Sequence, residues 1–173
     1  MRARAVEAVR ILNDFALDAV VGTKTLEIFD KLRSTYGYPE GIKVGFARLV
    51  YFHLILVLAK WVEFYEKYGS IIPKDCAKEC KALTREIKRL QIPRFRNKYI
   101  GHIWDKDSDR PLSKKEVIRY MEAITKSDGR RFLLWINDGN DNAYPKTVVS
   151  IISEVRDRLM AQYKFGKDIL KET

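Results

Sequence analysis

The segment Val44–Tyr68 constrains the fold of this 173-residue chain more than any other part of the sequence. Its spacing predicts one long helix, and apolar residues surround that helix on nearly every side. Such a helix needs neighbours all round it, which places it at the centre of a helical bundle. Its longest run without a formal charge, Leu49–Ala59, has 11 residues, whereas a membrane-spanning helix needs about 20. We therefore expect a buried central helix that Gly69 ends, and no membrane partner.

The residues before this segment, and the scarcity of turn residues, favour an all-α fold. The first predicted helix has an apolar face that continues beyond Gly22, where we expect an interruption or a kink: Leu12, Phe15, Ala16, Ala19, Val20, Leu26, Phe29 and Leu32. A turn at residues 36–41 separates it from the central helix. With nine glycines and five prolines, the chain has little of the turn chemistry that a many-stranded β fold needs.

The third predicted helix, about Asp75–Gln91, has two distinct faces. Steps of three and four residues join its apolar positions into one stripe: Cys76, Cys80, Leu83, Ile87 and Leu90. Basic residues follow the same steps on a different face: Lys74, Lys78, Lys81, Arg85 and Lys88. We expect the apolar stripe to pack into the bundle while the other face presents a row of cations to solvent.

Start and stop signals place the later helices. Pro93 suits the first turn of a helix at about Pro93–Ile103. Ser113 and Glu116 are typical of a capping box. A last helix is expected from Pro145 to near Gly166, and the short apolar run Phe132–Ile136 is either a strand or a loop anchor. Residues 128–144 match no known pattern. The whole chain, residues 1–173, is predicted to be one helical domain, a bundle of five or six helices.

The positive charge of the chain is concentrated in one region. The net charge is +10 and the isoelectric point is about 9.6. Residues 71–100 hold nine basic and three acidic side chains, which is more than half of the excess. Such a surface attracts polyanions, chiefly nucleic acid or an anionic membrane. Because Glu7 and Arg10 come before any apolar run, we expect no secretory signal, and we place the protein in the cytoplasm.

The few histidines and cysteines leave little room for familiar enzyme chemistry. Cys76 and Cys80 lie on the apolar stripe of the third helix, so we interpret them as core residues rather than metal ligands. His53 has apolar neighbours and is expected to be a hydrogen-bonded core histidine. The sequence contains no glycine-rich phosphate loop and no serine or cysteine nucleophile motif.

The segment that remains is Arg94–His102. On an ideal helix, Arg96 and His102 differ by about 120° around the axis and ~9 Å along it, so they do not share a face. A flexible arginine or two copies of the helix could bring them together. Lys98 and Tyr99 lie on the same face as His102. From spacing alone, a clamp for phosphate and a structural Arg/Asn/His network both remain open.

The heptapeptide Arg96-Asn97-Lys98-Tyr99-Ile100-Gly101-His102 resembles the signature of the HEPN superfamily, which is an arginine, a polar residue that is often asparagine, a short spacer and a histidine. The family's domains are helical bundles in which this motif opens a late helix. Many members are metal-independent endoribonucleases that act as toxins or in defence against phage. The resemblance implies RNA as a partner, an antitoxin or defence protein as another, and a homodimer whose two motifs form one composite site.

The resemblance also implies roles for individual residues. The 2′-OH of RNA would attack the adjacent phosphorus without a metal or cofactor, leaving a 2′,3′-cyclic phosphate and a 5′-OH. His102 would transfer protons, Arg96 would stabilise charge on the phosphate, and Asn97 would orient His102 or the substrate. The remaining basic and aromatic residues would hold the strand: Lys98, Tyr99, Lys78, Lys81, Arg85, Lys88 and Arg89.

Three alternatives remain at this stage. A non-catalytic HEPN-like module would bind a nucleotide or a partner protein. A helical DNA-binding protein would use the basic face of the third helix. The acids Asp105, Asp107 and Asp109, which follow the motif, would hold Mg²⁺ if the reaction needed a metal.

Overall fold

The computed structural model describes residues 1–100 and 109–170, and these residues form an all-α bundle. Seven α-helices occur in those two ranges: α1 Arg2–Tyr36, α2 Glu40–Tyr68, α3 Ala77–Arg89, α4 Ile92–Phe95, α5 Lys114–Thr125, α6 Gly129–Ile136 and α7 Val148–Tyr163. Helix α1 packs along α2 and α7, and the other face of α2 receives α3 and α4. The all-α fold is therefore confirmed, with more helices than the five or six expected.

The core is built around the second half of α2, as its composition predicts. Trp61, Leu54 and Ile55 are fully buried there. The indole Nε1 of Trp61 donates to Thr84 Oγ1 at 3.1 Å, so the one polar atom of this side chain has a partner in α3. The apolar stripe of α3 is buried at all five positions, and this prediction is confirmed.

Helix α1 passes through Gly22 without the expected interruption. A Cβ at this position would lie 2.7 Å from Leu54 Cδ2 and 3.2 Å from His53 Cδ2, both on α2. Gly22 therefore allows α1 and α2 to approach each other closely, and it does not break α1.

Two other expectations in the second half of the chain need correction. The run Phe132–Ile136 belongs to helix α6, which begins after Asp128 and is neither a strand nor a loop. Helix α7 begins after Thr147 rather than at Pro145, because Thr147 and Ser150 form a capping box. It ends at Tyr163, before Gly166. The capping box predicted at Ser113 and Glu116 is present and starts α5.

The end of α1 and the start of α2 form a helical arm, residues 28–49, whose apolar residues are largely uncovered. Phe29 stacks on Phe46, with ring centroids 4.1 Å apart, and holds the two helices together. Outside this contact, large apolar side chains face solvent: Ile28, Leu32, Tyr36, Tyr38, Ile42, Val44 and Leu49. The arm therefore differs from the rest of α2, whose apolar side chains are buried or half-buried.

Within the residues described, the segment Glu40–Ile71 is long and apolar enough to cross a membrane by length and composition, and an 18-residue window in it has a mean hydropathy of 1.8. The fold encloses its second half in the protein core. The expectation of no membrane partner stays a prediction.

Candidate functional site

The residues of the motif that the structure describes lie on a π-helical turn, Arg96–Ile100, directly after α4. Gln91 separates α3 from α4 with a left-handed backbone, φ 56°, and Pro93 occupies the first turn of α4 as expected. Phe95 is fully buried and packs on Tyr120 of α5, with ring centroids 5.2 Å apart. This anchor fixes the turn to the bundle. Single π turns inside helices are frequent at functional sites.

Arg96 is held by a hydrogen bond and an ion pair. Its Nη2 lies 3.2 Å from Glu63 Oε1 on α2, and its Nη1 donates to Asn97 Oδ1 at 2.8 Å. The side chain keeps about a third of its surface exposed, 34%. Sequence reasoning missed Glu63, because a single acid on a long helix has no pattern to distinguish it from an ordinary solvated charge.

His102 lies outside the described residues, as do Asp105 and Asp107; Asp109 is within them. The relation of His102 to Arg96 therefore stays a prediction. In the part of the chain that the structure describes, no group of three or more His, Cys, Asp or Glu is arranged to hold a metal ion.

Tyr99 is fixed to α2 by its hydroxyl and its ring. Its Oη accepts a hydrogen bond from Arg48 Nη2 at 2.7 Å, and the Arg48 guanidinium lies 5.1 Å from the ring centroid of Phe52. The ring of Tyr99 stacks on Phe95 with centroids 5.5 Å apart. The half-buried Tyr99 is thus largely occupied by intramolecular packing, and Lys98 beside it is also half-buried.

An open cleft of about 500 Å³ lies between α2 and the α3–α4 junction. Its polar lining consists of Glu63, Glu66, Lys88, Gln91, Arg94, Arg96 and Asn97. Lys88 Nζ lies 2.7 Å from Glu66 Oε1, parallel to the pair between Arg96 and Glu63. Arg94 is exposed and makes no ion pair or hydrogen bond with the described residues. The cleft therefore combines two compensated cations with one uncompensated cation.

The five basic residues expected to hold the strand along α3 are all exposed but differ in their partners. Lys81 and Arg85 have no ion pair among the described residues, whereas Lys78 Nζ lies 4.0 Å from Glu79 Oε1. Arg89 binds both carboxylate oxygens of Glu86 at 2.8 Å.

Arg89 lowers the pKa of Glu86 to about 2, with help from Lys126. Lys88 is engaged by Glu66 in the cleft. Three of the five charges, those of Lys78, Lys88 and Arg89, are therefore partly compensated within the protein.

The cysteines and His53 are structural, as their positions in the sequence predict. Cys76 and Cys80 are free and fully buried, and burial raises the pKa of Cys80 to about 12. A neutral, buried thiol is a weak nucleophile near neutral pH, which fits a packing role in the core. The Nε2 of His53 lies 3.1 Å from the carbonyl oxygen of Asp18 and so has a hydrogen-bond partner on α1.

Residues 128–144, which match no known pattern, tie α6 to α1. Asn137 is buried and donates through Nδ2 to Thr23 Oγ1 at 3.0 Å, while its Oδ1 accepts from Asn142 Nδ2 at 3.2 Å. The same loop borders a polar cleft of about 610 Å³ between α1 and α6. The observed hydrogen bonds give these residues a structural role.

Comparison with known proteins supports the fold and nothing finer. No family model matches the chain, and no curated protein matches it. It is similar to a solved structure, the integron cassette protein Vpc_cass2 from the mobile metagenome of V. paracholerae, with a TM-score of 0.77 and 22% identity. The match covers 92% of this chain and 97% of that one.

Proposed function

We propose that this protein is a metal-independent endoribonuclease whose active site is assembled from the HEPN-like motifs of two copies. The observation that supports this function best is the position of Arg96 and Asn97. They lie together on a π-helical turn at an open cleft, beside the uncompensated Arg94. A phosphate that enters the cleft would meet the guanidinium of Arg96, which the protein already holds in place, and the exposed guanidinium of Arg94.

In the proposed reaction, the 2′-oxygen bonds to the adjacent phosphorus and the bond from phosphorus to the 5′-oxygen breaks. One group removes the proton of the 2′-OH, another protonates the departing 5′-oxygen, and His102 performs one of these transfers. Arg96 stabilises the charge on the non-bridging oxygens. Its guanidinium has five N–H donors, of which the hydrogen bond to Asn97 occupies one. Glu63 contributes an ion pair at 3.2 Å, so donors remain for a phosphate.

The position of the arm supports the proposal that two copies of the chain form the active site. Leu49 is 69% exposed at the base of the arm, and its neighbour Arg48 binds Tyr99 of the motif turn. An apolar surface next to the turn favours a dimer interface there, because burial of such side chains stabilises association.

A non-catalytic HEPN-like binding module is the second candidate. The observation that favours it is the same ion pair, since Glu63 already compensates Arg96. In such a module the Arg96–Glu63–Asn97 contacts would serve structure alone, and His102 would be dispensable.

The decisive experiment measures cleavage of a labelled single-stranded RNA in excess EDTA. We expect the wild-type protein to leave 2′,3′-cyclic phosphate and 5′-OH ends, and His102→Ala and Arg96→Ala to lose at least about 100-fold in rate. Arg158→Ala is the matched control, because Arg158 is also a partly exposed, ion-paired arginine but lies on α7. It should cleave like the wild type.

Two results would overturn the ribonuclease proposal. One is cleavage of a substrate with 2′-deoxyribose at the scissile nucleotide, because the attacking group would then be absent. The other is activity that disappears with EDTA and returns with Mg²⁺. A wild-type protein that binds RNA but never cleaves it would favour the binding module.

A further inference from the structure

Three clefts border the C-terminal end of α3, and we call them together the α3 groove. The first is the 500 Å³ cleft beside Arg96. Gln91 also lines the second, which has about 330 Å³ and is bordered by Arg119 and Tyr120 of α5. The third begins at Leu90, one residue earlier, and has about 170 Å³. The lining residues therefore extend from the motif turn, past Gln91 and Leu90, to α6.

The acids along the α3 groove are already paired with cations of the protein. The four acids form five ion pairs: Glu63 with Arg96, Glu66 with Lys88, Glu86 with both Arg89 and Lys126, and Glu116 with Arg110. The guanidinium of Arg110 lowers the pKa of Glu116, just as that of Arg89 lowers the pKa of Glu86, so both acids stay charged and paired near neutral pH.

Three arginines of the α3 groove are left without such compensation. The side chains of Arg94, Arg119 and Arg131 are exposed and form no ion pair or hydrogen bond with any residue that the structure describes. One belongs to each cleft. The groove therefore offers a series of cations, spaced along a path, rather than one concentrated patch.

Aromatic side chains accompany two of these arginines. Tyr120 lines the second cleft beside Arg119. Trp135 and Phe132 line the third beside Arg131, with their ring centroids 5.8 Å apart. Alternating cations and aromatic surfaces match a single nucleic-acid strand, which presents a phosphate and a flat base in each repeat.

We propose that the α3 groove guides a single-stranded RNA from the motif turn to Trp135, with phosphates bound by Arg119 and Arg131. This inference rests on the proposed function, because the strand is the substrate of the site at Arg96. It assigns strand-binding roles to α5 and α6, for which the sequence gives no signal.

The test uses neighbouring arginines on opposite sides of α6. Arg131 lines the α3 groove, whereas Arg130 lines the polar cleft between α1 and α6, and both are exposed. The probe is a labelled 2′-O-methyl oligonucleotide of about 12 nucleotides, which resists cleavage by the 2′-oxygen.

We expect R119A/R131A to raise the Kd for this probe at least about fivefold and to lower the slope of log Kd against log salt by about 1.4. R119A/R130A should retain a larger share of the affinity. Equal losses of affinity in the two double variants would overturn the proposal, because binding would then depend on the total charge of the protein and not on the position of each arginine. Circular dichroism should confirm that each variant keeps its helical content.

Crosslinking locates the strand independently of affinity. RNA that carries 4-thiouridine should crosslink to peptides of α5 and α6 that contain Tyr120 and Trp135, and Trp135→Leu should remove the second crosslink. Crosslinks confined to the outer face of α3, or stronger competition by duplex DNA than by single-stranded RNA, would overturn the groove.

The two proposals can fail separately. If the wild-type protein cleaves RNA but the groove variants bind and cleave normally, the groove is wrong and the ribonuclease stands. If the groove variants lose binding but no RNA is ever cleaved, the groove stands and the ribonuclease is wrong.

Discussion

Glu63 competes with substrate for the guanidinium that the proposed reaction needs. Its carboxylate binds Arg96 from α2, and its side chain is 59% exposed. An ion pair in that environment contributes only about 0–1 kcal/mol to the free energy of unfolding. Stability of the fold is therefore not the main role of this pair. We interpret Glu63 as a positioning residue that holds Arg96 at the cleft until a phosphate arrives.

Glu63→Gln tests this interpretation through the two kinetic constants. We expect KM for RNA to fall about two- to threefold, because one negative charge near the phosphate is gone. We expect kcat to fall as well, because Arg96 loses an oriented partner. Steady-state kinetics separates the two effects. Unchanged KM and kcat would show that the pair is an ordinary surface contact.

The ion pairs of Glu86 should make the free energy of unfolding depend on pH in the acid range. Its pKa is about 2 in the folded protein, against 4.5 as the ordinary value, because Arg89 and Lys126 favour the charged form. The stabilisation is therefore complete above pH 4.5 and is lost as the pH falls towards 2. The free energy of unfolding of Glu86→Gln should be lower by at most about 1 kcal/mol at pH 7.

The difference between wild type and Glu86→Gln should vanish near pH 2. Urea denaturation between pH 7 and pH 2 measures it. A difference that stays constant over this range would mean that the carboxylate charge is not responsible.

The elements that could be predicted from the sequence are those with a strong period or a defined cap. Helix α3 has alternating apolar and basic faces, and α5 has its Ser113–Glu116 box. Helix α6 has only eight residues, five of them a continuous apolar run, so neither a helical nor a strand period can be distinguished. The cleft beside Arg96 could not be predicted, because Glu63 and Gln91 meet there only through the packing of α2 on α4.

Gly22 and Gly45 should respond to alanine with opposite signs. At Gly22 the new Cβ would lie 2.7 Å from Leu54 Cδ2 in the core, whereas at Gly45 it meets nothing within 4 Å. We expect Gly22→Ala to lower the free energy of unfolding by about 1–3 kcal/mol through overpacking. Gly45→Ala should raise it by about 0.5–1 kcal/mol, since alanine favours the helix.

Thermal or urea denaturation of the two glycine variants measures the change in the free energy of unfolding and its sign. If Gly22→Ala is as stable as the wild type, α1 and α2 can move apart at no cost, and the glycine does not set their separation.

The whole molecule should be a homodimer joined near the motif turn. Sedimentation at micromolar concentration should give twice the 20.2 kDa mass of the chain. Leu49→Asp should produce a folded monomer without RNA cleavage, because a charge at an exposed interface position opposes association. Leu134→Asp is the control, because Leu134 is also exposed but lies on α6, and it should remain a dimer.

A clean wild-type monomer that cleaves RNA would contradict the composite site. A dimer that persists in Leu49→Asp would place the interface elsewhere on the surface.

The hydrogen bond between Arg48 and Tyr99 joins the base of the arm to the motif turn. If two copies must associate to form the active site, a protein that blocks their interface also blocks the activity. An inhibitor protein that covered Leu49 would keep two copies apart. It would also contact Arg48, the residue that holds the motif turn through Tyr99. Such an inhibitor would need no contact with RNA or with Arg96, and its effect would depend on its abundance relative to this chain.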